Sequence, residues 1–203
     1  MSSAEPPLVR LPAGDPSTGG SHRSGEDPRG PSSPPPHERE KHDRTVAACG
    51  PGRFSGVLVL GTGNGALPWL LADRSDDLLA IDPSTTAVAL ALERLPDAPH
   101  VTVTHGDLPD ALPRAGGFDL VVVSDVLCRL PVDALRRTID RLPRLMRPGA
   151  RVVAVHWDGH APDLTRTATE AHRALRAGTG LRPAQPAPPA STRGHLLEAF
   201  DMR

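Results

Sequence analysis

The chain has 203 residues, enough for one domain with its own core, and its formal net charge of -1 gives no electrostatic basis for a nucleic-acid or membrane partner. Its two cysteines, Cys49 and Cys128, have no CxxC spacing, which argues against a disulfide scaffold or a cysteine-based zinc site. No apolar stretch reaches the length of a membrane span and no signal-peptide pattern is present, so we expect a soluble cytoplasmic protein.

Residues 1–36 are rich in Pro, Gly and Ser and contain no aromatic side chain. Such a segment buries too little apolar surface to offset the entropy lost on ordering. We therefore predict a disordered tail at 1–36 and a single folded domain at 37–203.

Apolar runs and helical patterns alternate along residues 37–203. The apolar runs predict strands at 56–61, 77–82, 100–107, 118–125, 150–157 and 195–201. The intervening segments predict helices at 37–49, 66–73, 83–95, 132–146 and 163–177, with Ser84 or Thr85 as the N-cap of the third. This alternation predicts a parallel sheet with helices on both faces.

A glycine-rich loop, GTGNGA (61–66), follows the first of these strands. Gly61 permits a tight turn, and Gly63 and Gly65 allow the backbone to approach a ligand closely. The loop also fits the dinucleotide pattern G-x-G-x-x-G/A, so a nicotinamide-dependent oxidoreductase is an alternative.

Two carboxylates at strand ends favour a single adenosine over a dinucleotide. Asp82 ends the second strand, 21 positions after Gly61, where it suits the hydroxyls of a ribose, although a helix cap ahead of Pro83 is the alternative. Asp107, in HGDL, ends the third strand, where it is placed to accept from an adenine amino group.

Further polar residues at strand ends are candidates for the chemistry. His156 is a candidate base or orienting group, or simply a histidine that bonds a neighbouring loop. Asp125 is a candidate to hold an acceptor ammonium or a ligand amino group, or to cap the next segment. His156 and His160 are four apart, but the Gly between them indicates a loop, so we expect no metal site.

The segments VLVLGTGNGALPWLLA, LLAIDPS, HGDLP, FDLVVVSDVL and LMRPGARVVAVHW resemble, in order and spacing, the class I S-adenosylmethionine-dependent methyltransferases. The resemblance covers about residues 37–203. It implies a Rossmann-like α/β sandwich whose mostly parallel seven-stranded sheet has an antiparallel last strand, here HLLEAFD, with LRPA (181–184) as a candidate neighbour. It implies S-adenosylmethionine as cofactor and S-adenosylhomocysteine as product. The implied cofactor-binding residues are Gly61, Thr62, Gly63, Asn64, Gly65, Asp82, Pro83, Gly106, Asp107, Leu108 and Ser124.

A narrower resemblance, carried by EREKHDRTVAAC, FDLVVVSDVL, VVAVHW and EAHRAL, is to the nodulation-factor N-methyltransferases. It implies methylation of an amine on a small, sugar-like acceptor. Members of that family tend to have Lys-Tyr where this chain has Lys41-His42, and Tyr-Tyr where it has Cys128-Arg129. Class I members commonly carry Glu or Asp at the position of Val59. These departures leave open a methyltransferase-like protein that binds its ligand without turnover.

Overall fold

The computed structural model describes residues 9–10, 36–95, 98–184, 191–192 and 194–203. These residues form a mostly parallel sheet with helices on both faces, which confirms the predicted fold class. The tail predicted at 1–36 lies outside the described residues except for 9–10 and Pro36, so its disorder stays a prediction.

The helices are α1 (Pro36–Ala48), α2 (Ala66–Ala72), α3 (Thr85–Arg94), α4 (Val132–Leu145) and α5 (Ala168–Thr179). The strands are β1 (Val9–Arg10), β2 (Phe54–Leu60), β3 (Ser75–Asp82), β4 (Val101–His105), β5 (Phe118–Ser124), β6 (Met146–Trp157), β7 (Arg182–Pro183), β8 (Ser191–Thr192) and β9 (His195–Asp201). Among the described helices, none has the length and apolar character needed to cross a bilayer.

The strand order is β1-β4-β3-β2-β5-β6-β9-β7, with β8 beside β9. Strands β2 to β6 run parallel, whereas β9 is antiparallel to both β6 and β7. The run from β4 to β7 is the predicted seven-stranded sheet, and β7 lies in the predicted LRPA segment. Strands β1 and β8 add two residues each.

Each face of the sheet buries its own apolar layer, because successive residues of a strand point to opposite sides. In β2, Val57 and Val59 join the layer beneath α1, α2 and α3, whereas Leu58 and Leu60 join the layer beneath α4 and α5. All four are fully buried. Because aromatic residues make up only 2% of the chain, Leu, Val and Ala fill most of both layers.

Helix α5 begins at Ala168, five residues later than the predicted start at 163. Its N-cap is Thr167, whose hydroxyl accepts from the Glu170 N–H while the Glu170 carboxylate accepts from the Thr167 N–H, a capping box. The residues before it form a loop, in which the Thr165 hydroxyl donates to the carbonyl oxygens of Cys128 and Leu130.

The order of the strands reverses beside β2, because β3 and β4 extend the sheet on one side of it and β5 and β6 on the other. Ligands of such sheets bind at this point, outside the carboxyl ends of the strands. The glycine loop follows β2 and Asp125 follows β5. The fold thus brings the two segments to the same edge.

Candidate active site

A cavity of about 450 Å³ opens between the loop after β2 and the loop after β5. Its volume lies within the range of roughly 300–1,000 Å³ that small-molecule sites occupy. The predicted site residues that line it are Gly61, Thr62, Gly63, Asn64, Asp82, Pro83, Ser124 and Asp125. The other lining residues, none of which was predicted as a site residue, are Glu38, Lys41, His42, Leu67, Ser84, Ala87, Val126 and Arg129. The predicted residues Gly65, Gly106, Asp107, Leu108 and His156 are not among the lining residues.

The three loop glycines have different tasks, although all adopt a left-handed backbone, with φ of 86° at Gly61, 53° at Gly63 and 80° at Gly65. A Cβ on Gly61 would overlap the Ser124 carbonyl oxygen, and one on Gly65 would lie 2.5 Å from Ala91 Cα. A Cβ on Gly63 would meet no atom within 4 Å. Gly61 and Gly65 therefore allow the loop to pack on β5 and α3, whereas Gly63 faces the cavity.

The Asp82 carboxylate anchors the glycine loop. Its Oδ2 accepts from the Thr62 N–H at 2.7 Å, the Thr62 hydroxyl at 3.1 Å and the Gly63 N–H at 3.2 Å. Within the described part of the chain, its Oδ1 accepts a single hydrogen bond, from the Ser84 N–H at 2.9 Å, and Ser84 is the N-cap of α3. Oδ1 thus keeps the capacity to accept a further hydrogen bond. The amides of Thr62 and Gly63 point at this carboxylate, not at a ligand.

Asp125 has a left-handed backbone, with φ of 53°, the single such non-glycine residue in the described ranges. This conformation costs roughly 1–2 kcal/mol, and strain of this kind clusters at functional sites. Neighbouring groups hold it in place: the Trp157 N–H donates to Asp125 Oδ1 at 2.6 Å, and the Asp125 N–H donates to the Val155 carbonyl at 2.9 Å. The carboxylate is therefore fixed at the cavity wall.

Lys41, on α1, is buried between two carboxylates. Its Nζ lies 2.8 Å from Glu38 Oε2 and 3.1 Å from Asp125 Oδ2, and its side chain is 7% exposed. Burial lowers the pKa of Lys41, but the Asp125 and Glu38 carboxylates outweigh it, so the pKa is raised. Burial likewise raises the pKa of Asp125, but the Lys41 ammonium and the Trp157 N–H outweigh it and lower the pKa. Lys41 and Asp125 both stay charged at neutral pH.

His42 contributes a neutral imidazole to the cavity wall. It is buried, and its burial and the Lys41 ammonium lower its pKa to about 4. Its Nδ1 is buried without a hydrogen-bond partner among the described residues. A buried polar atom without a partner is costly, so a ligand that bonded it would gain affinity.

His156 lies away from the cavity, fully buried beneath the loop after β5. Its Nε2 accepts from the Leu127 N–H at 3.2 Å, so the proton of the neutral ring is on Nδ1, which donates to His172 Nε2 at 2.8 Å. His172 Nδ1 then donates to Glu198 Oε2 at 2.7 Å. Burial and His172 lower the pKa of His156 to about 3. Because both ring nitrogens are engaged, the geometry favours the loop-bonding role over that of a base.

The residues predicted to contact adenine follow β4, which is the neighbour of β3, the strand that ends at Asp82. The Gly106 N–H donates to the Asp82 carbonyl oxygen at 3.0 Å, Asp107 is exposed, and Leu108 is buried in the core. Their contact with adenine stays a prediction.

Sequence reasoning noted the Lys41-His42 pair as a departure at the acceptor pocket, but it predicted no residue of α1 as a site residue. Glu38, Lys41 and His42 come from this helix, which carries the Lys41-His42 pair compared above with the Lys-Tyr of the nodulation-factor enzymes. That comparison was the signal available. Arg129 also lines the cavity, where its Nε donates to the Asp125 carbonyl oxygen at 3.2 Å and its guanidinium pairs with Asp163.

Comparisons with known proteins agree with this geometry. A family model described as a methyltransferase domain matches residues 57–149. A search of curated proteins found no match. A solved structure from Pseudomonas syringae, provisionally assigned as a methyltransferase, is 32% identical, covers 81% of this chain and 98% of its own, and has a TM-score of 0.67.

Two more distant solved structures share the fold. The N-methyltransferase NodS from Bradyrhizobium japonicum WM9, in complex with S-adenosylhomocysteine, is 24% identical, with coverage of 82% of this chain and 88% of its own and a TM-score of 0.71. A TehB-like S-adenosylmethionine-dependent methyltransferase from Corynebacterium glutamicum is 20% identical, with coverage of 80% and 88% and a TM-score of 0.62.

The fit of the site to the cofactor agrees with these comparisons. The space beside Gly63 is open, Asp82 Oδ1 can accept a further hydrogen bond, and the cavity has the volume of a small-molecule site. A nicotinamide-dependent oxidoreductase, the alternative left open by the loop pattern, finds no support in them. The chain belongs to the class I S-adenosylmethionine-dependent methyltransferases, it resembles NodS, and its cofactor is S-adenosylmethionine.

Proposed function

We propose that this protein transfers a methyl group from S-adenosylmethionine to the nitrogen of a small-molecule amine. The observation that carries the proposal is one cavity that joins the glycine loop and Asp82 to the carboxylates of Glu38 and Asp125. The glycine loop and Asp82 suit an adenosine, and the carboxylates of Glu38 and Asp125 suit a cationic amine. The N-methyltransferase activity in the name of NodS supports the choice of nitrogen.

The cofactor contacts that we propose follow from unused hydrogen-bonding capacity. Asp82 Oδ1 would accept from a ribose hydroxyl, and Asp107, with Gly106 and Leu108, would contact the adenine. The Lys41 ammonium has three N–H groups and two carboxylate partners, so the third would donate to the carboxylate of the methionine part.

S-adenosylmethionine, when bound, supplies a methyl group on a positively charged sulfur. An amine held as its ammonium would first lose a proton to water or to a carboxylate, because only the neutral nitrogen has a lone pair. That lone pair would then bond the methyl carbon as the carbon–sulfur bond breaks, and sulfur would keep the electron pair of the broken bond. The extra proton on nitrogen then passes to a carboxylate or to water. The protein contributes mainly proximity and alignment, with Asp125 and Glu38 holding the amine. Burial raises the pKa of the Cys128 thiol to about 11, so it is no nucleophile.

The weak bases of the site favour nitrogen over oxygen. An alcohol must lose its proton to react, which requires a base with a pKa near the working pH. Burial lowers the pKa of His42 to about 4, and Lys41 holds the pKa of Asp125 below its usual value. A cationic amine is in equilibrium with its neutral form, which attacks through its own lone pair and needs no such base in the transfer step.

The test is a transfer assay with isotope-labelled S-adenosylmethionine and a panel of small amines, each matched with its alcohol. We expect label in amines and not in the alcohols. Asp125→Asn, which tolerates the left-handed backbone, should lower kcat/KM at least about tenfold by removing the charge. Labelled alcohols with unlabelled amines would contradict the proposal.

A second candidate function is ligand binding without turnover. The observation that favours it is Val59, fully buried in the apolar layer beneath α1 and α2, where related enzymes commonly carry an acidic residue. Binding of S-adenosylmethionine without transfer to any amine or alcohol would support this function over the first.

A further inference from the structure

A second cavity adjoins the first at the same edge of the sheet. It measures about 270 Å³ and is lined by His37, Glu38, Asp125, Arg129, Trp157 and His195. Glu38, Asp125 and Arg129 also line the first cavity, so the two spaces share a wall. Group transfer requires two bound molecules to meet with reacting atoms about 3 Å apart. Two cavities with a common wall provide that arrangement.

Trp157 gives the second cavity an aromatic surface. The residue is 39% exposed at the end of β6, where it pairs in register with His195. A Cβ on Gly159 would overlap the indole ring, and one on Gly194 would lie 3.8 Å from its Nε1. Glycine backbones thus pack closely against the ring, and the part that stays exposed offers a flat apolar face to a ligand.

The shared wall keeps a net negative charge. Glu38 and Asp125 carry two carboxylates and Lys41 supplies one ammonium between them. Arg129, the other cation of the wall, pairs with Asp163. When Asp163 is counted with its partner Arg129, these five groups carry three carboxylates and two cations, so one carboxylate charge is not offset by a Lys or Arg among them. His195 Nε2 lies 3.6 Å from Glu38 Oε1, and the Glu38 and Asp125 side chains remain 29% and 30% exposed.

We propose that the second cavity binds the methyl acceptor, and that the acceptor is a cationic amine whose ring or apolar body packs on Trp157 while its ammonium faces Glu38. This inference rests on the proposed function, because it assigns the acceptor to the neighbour of the cofactor cavity. A matching alcohol brings no positive charge to the wall and gains nothing from it.

The test measures amine binding through the intrinsic fluorescence of Trp157. The chain has two tryptophans, Trp69 and Trp157, so Trp69→Phe leaves a single emitter. This protein, saturated with S-adenosylhomocysteine, is titrated with benzylamine against benzyl alcohol, cyclohexylamine against cyclohexanol, and glucosamine against glucose. We expect at least one amine, and none of the alcohols, to change the Trp157 emission.

Glu38→Gln in this background should weaken amine binding about tenfold, the loss of one charge-assisted contact. The matched control is Glu40→Gln on the same helix, which pairs with Arg44 at the surface and should change nothing. Trp157→Leu, followed by calorimetry, should lose the amine and keep S-adenosylhomocysteine.

Equal responses to amines and alcohols, or no response to any amine, would overturn the inference. So would equal losses in the Glu38→Gln and Glu40→Gln proteins. Failure to bind S-adenosylhomocysteine would instead contradict the proposed function, so the two failures are distinguishable.

Discussion

The ammonium of Lys41 lies 3.1 Å from Asp125 Oδ2, although the two residues are 84 positions apart in the chain. The pair joins α1 to the strained residue after β5 and so closes one side of the cofactor cavity. Since Glu38 bonds the same ammonium from the preceding turn, the three charges form one unit. Both the stability of the fold and the shape of the site depend on it.

Lys41→Met tests this unit. The substitution leaves two neighbouring carboxylates without their cation, so the free energy of unfolding should fall by about 2 kcal/mol, measured by urea denaturation. The matched control is Arg137→Met, which removes an exposed cation 3.7 Å from Asp110 and should cost less than about 0.5 kcal/mol. Similar losses in both variants would show that the buried pair contributes no more to the free energy of unfolding than the exposed pair does.

Asp82→Asn should weaken both the loop and its ligand. The amide has one acceptor oxygen, so either the Thr62 and Gly63 N–H groups or the Ser84 N–H would lose its acceptor. We expect a loss of about 1–3 kcal/mol in unfolding free energy and at least tenfold weaker S-adenosylhomocysteine binding by calorimetry.

Asp107→Asn is the matched comparison, since Asp107 is exposed and outside the lining of the cavity. Contact with adenine predicts weaker ligand binding with no change in stability. Unchanged affinity would place the adenine elsewhere.

Val59→Glu should destabilise the protein. Val59 is fully buried in an apolar layer with Leu67 and Leu71, so the new carboxylate would lose its hydration, at a cost of roughly 3 kcal/mol or more. Burial would raise its pKa in the fold, so relative to wild type the variant should recover as the pH falls. Val59→Gln, its uncharged match, should show no such recovery. If neither melting temperature nor ligand affinity changed, residue 59 would not lie where the structure puts it.

Unfolding free energy should fall as the pH drops from 7 towards 4. The folded-state pKa is lowered to about 4 at His42 and about 3 at His156, so below the ordinary value near 6.5 the unfolded chain binds protons that the fold does not. The loss between pH 7 and pH 5 is roughly 2 kcal/mol per histidine, measured by urea denaturation at each pH. His42→Gln should flatten this dependence, and the exposed His37→Gln should not.

The sequence was sufficient to predict the sheet and one half of the site. Apolar runs such as residues 56–61 predict strands buried on both faces, and in a parallel sheet the carboxyl ends of such strands meet at one edge. The convergence of the glycine loop, Asp82 and Asp125 follows from that geometry alone.

The other half depends on contacts between distant segments, which leave no local pattern. A lysine is normally solvated, and Lys41 is buried because carboxylates from two separate segments surround it. The chain from His156 through His172 to Glu198 likewise spans three elements. The start of α5 could have been predicted from the sequence, because Thr167 and Glu170 have the spacing of a capping box.

Titration of the purified protein with S-adenosylhomocysteine by calorimetry tests the central claim most directly. The cavity beside Gly63 and Asp82 predicts one site per chain with micromolar or tighter affinity, and no heat from NAD under the same conditions. The absence of S-adenosylhomocysteine binding at high micromolar concentration would contradict the account.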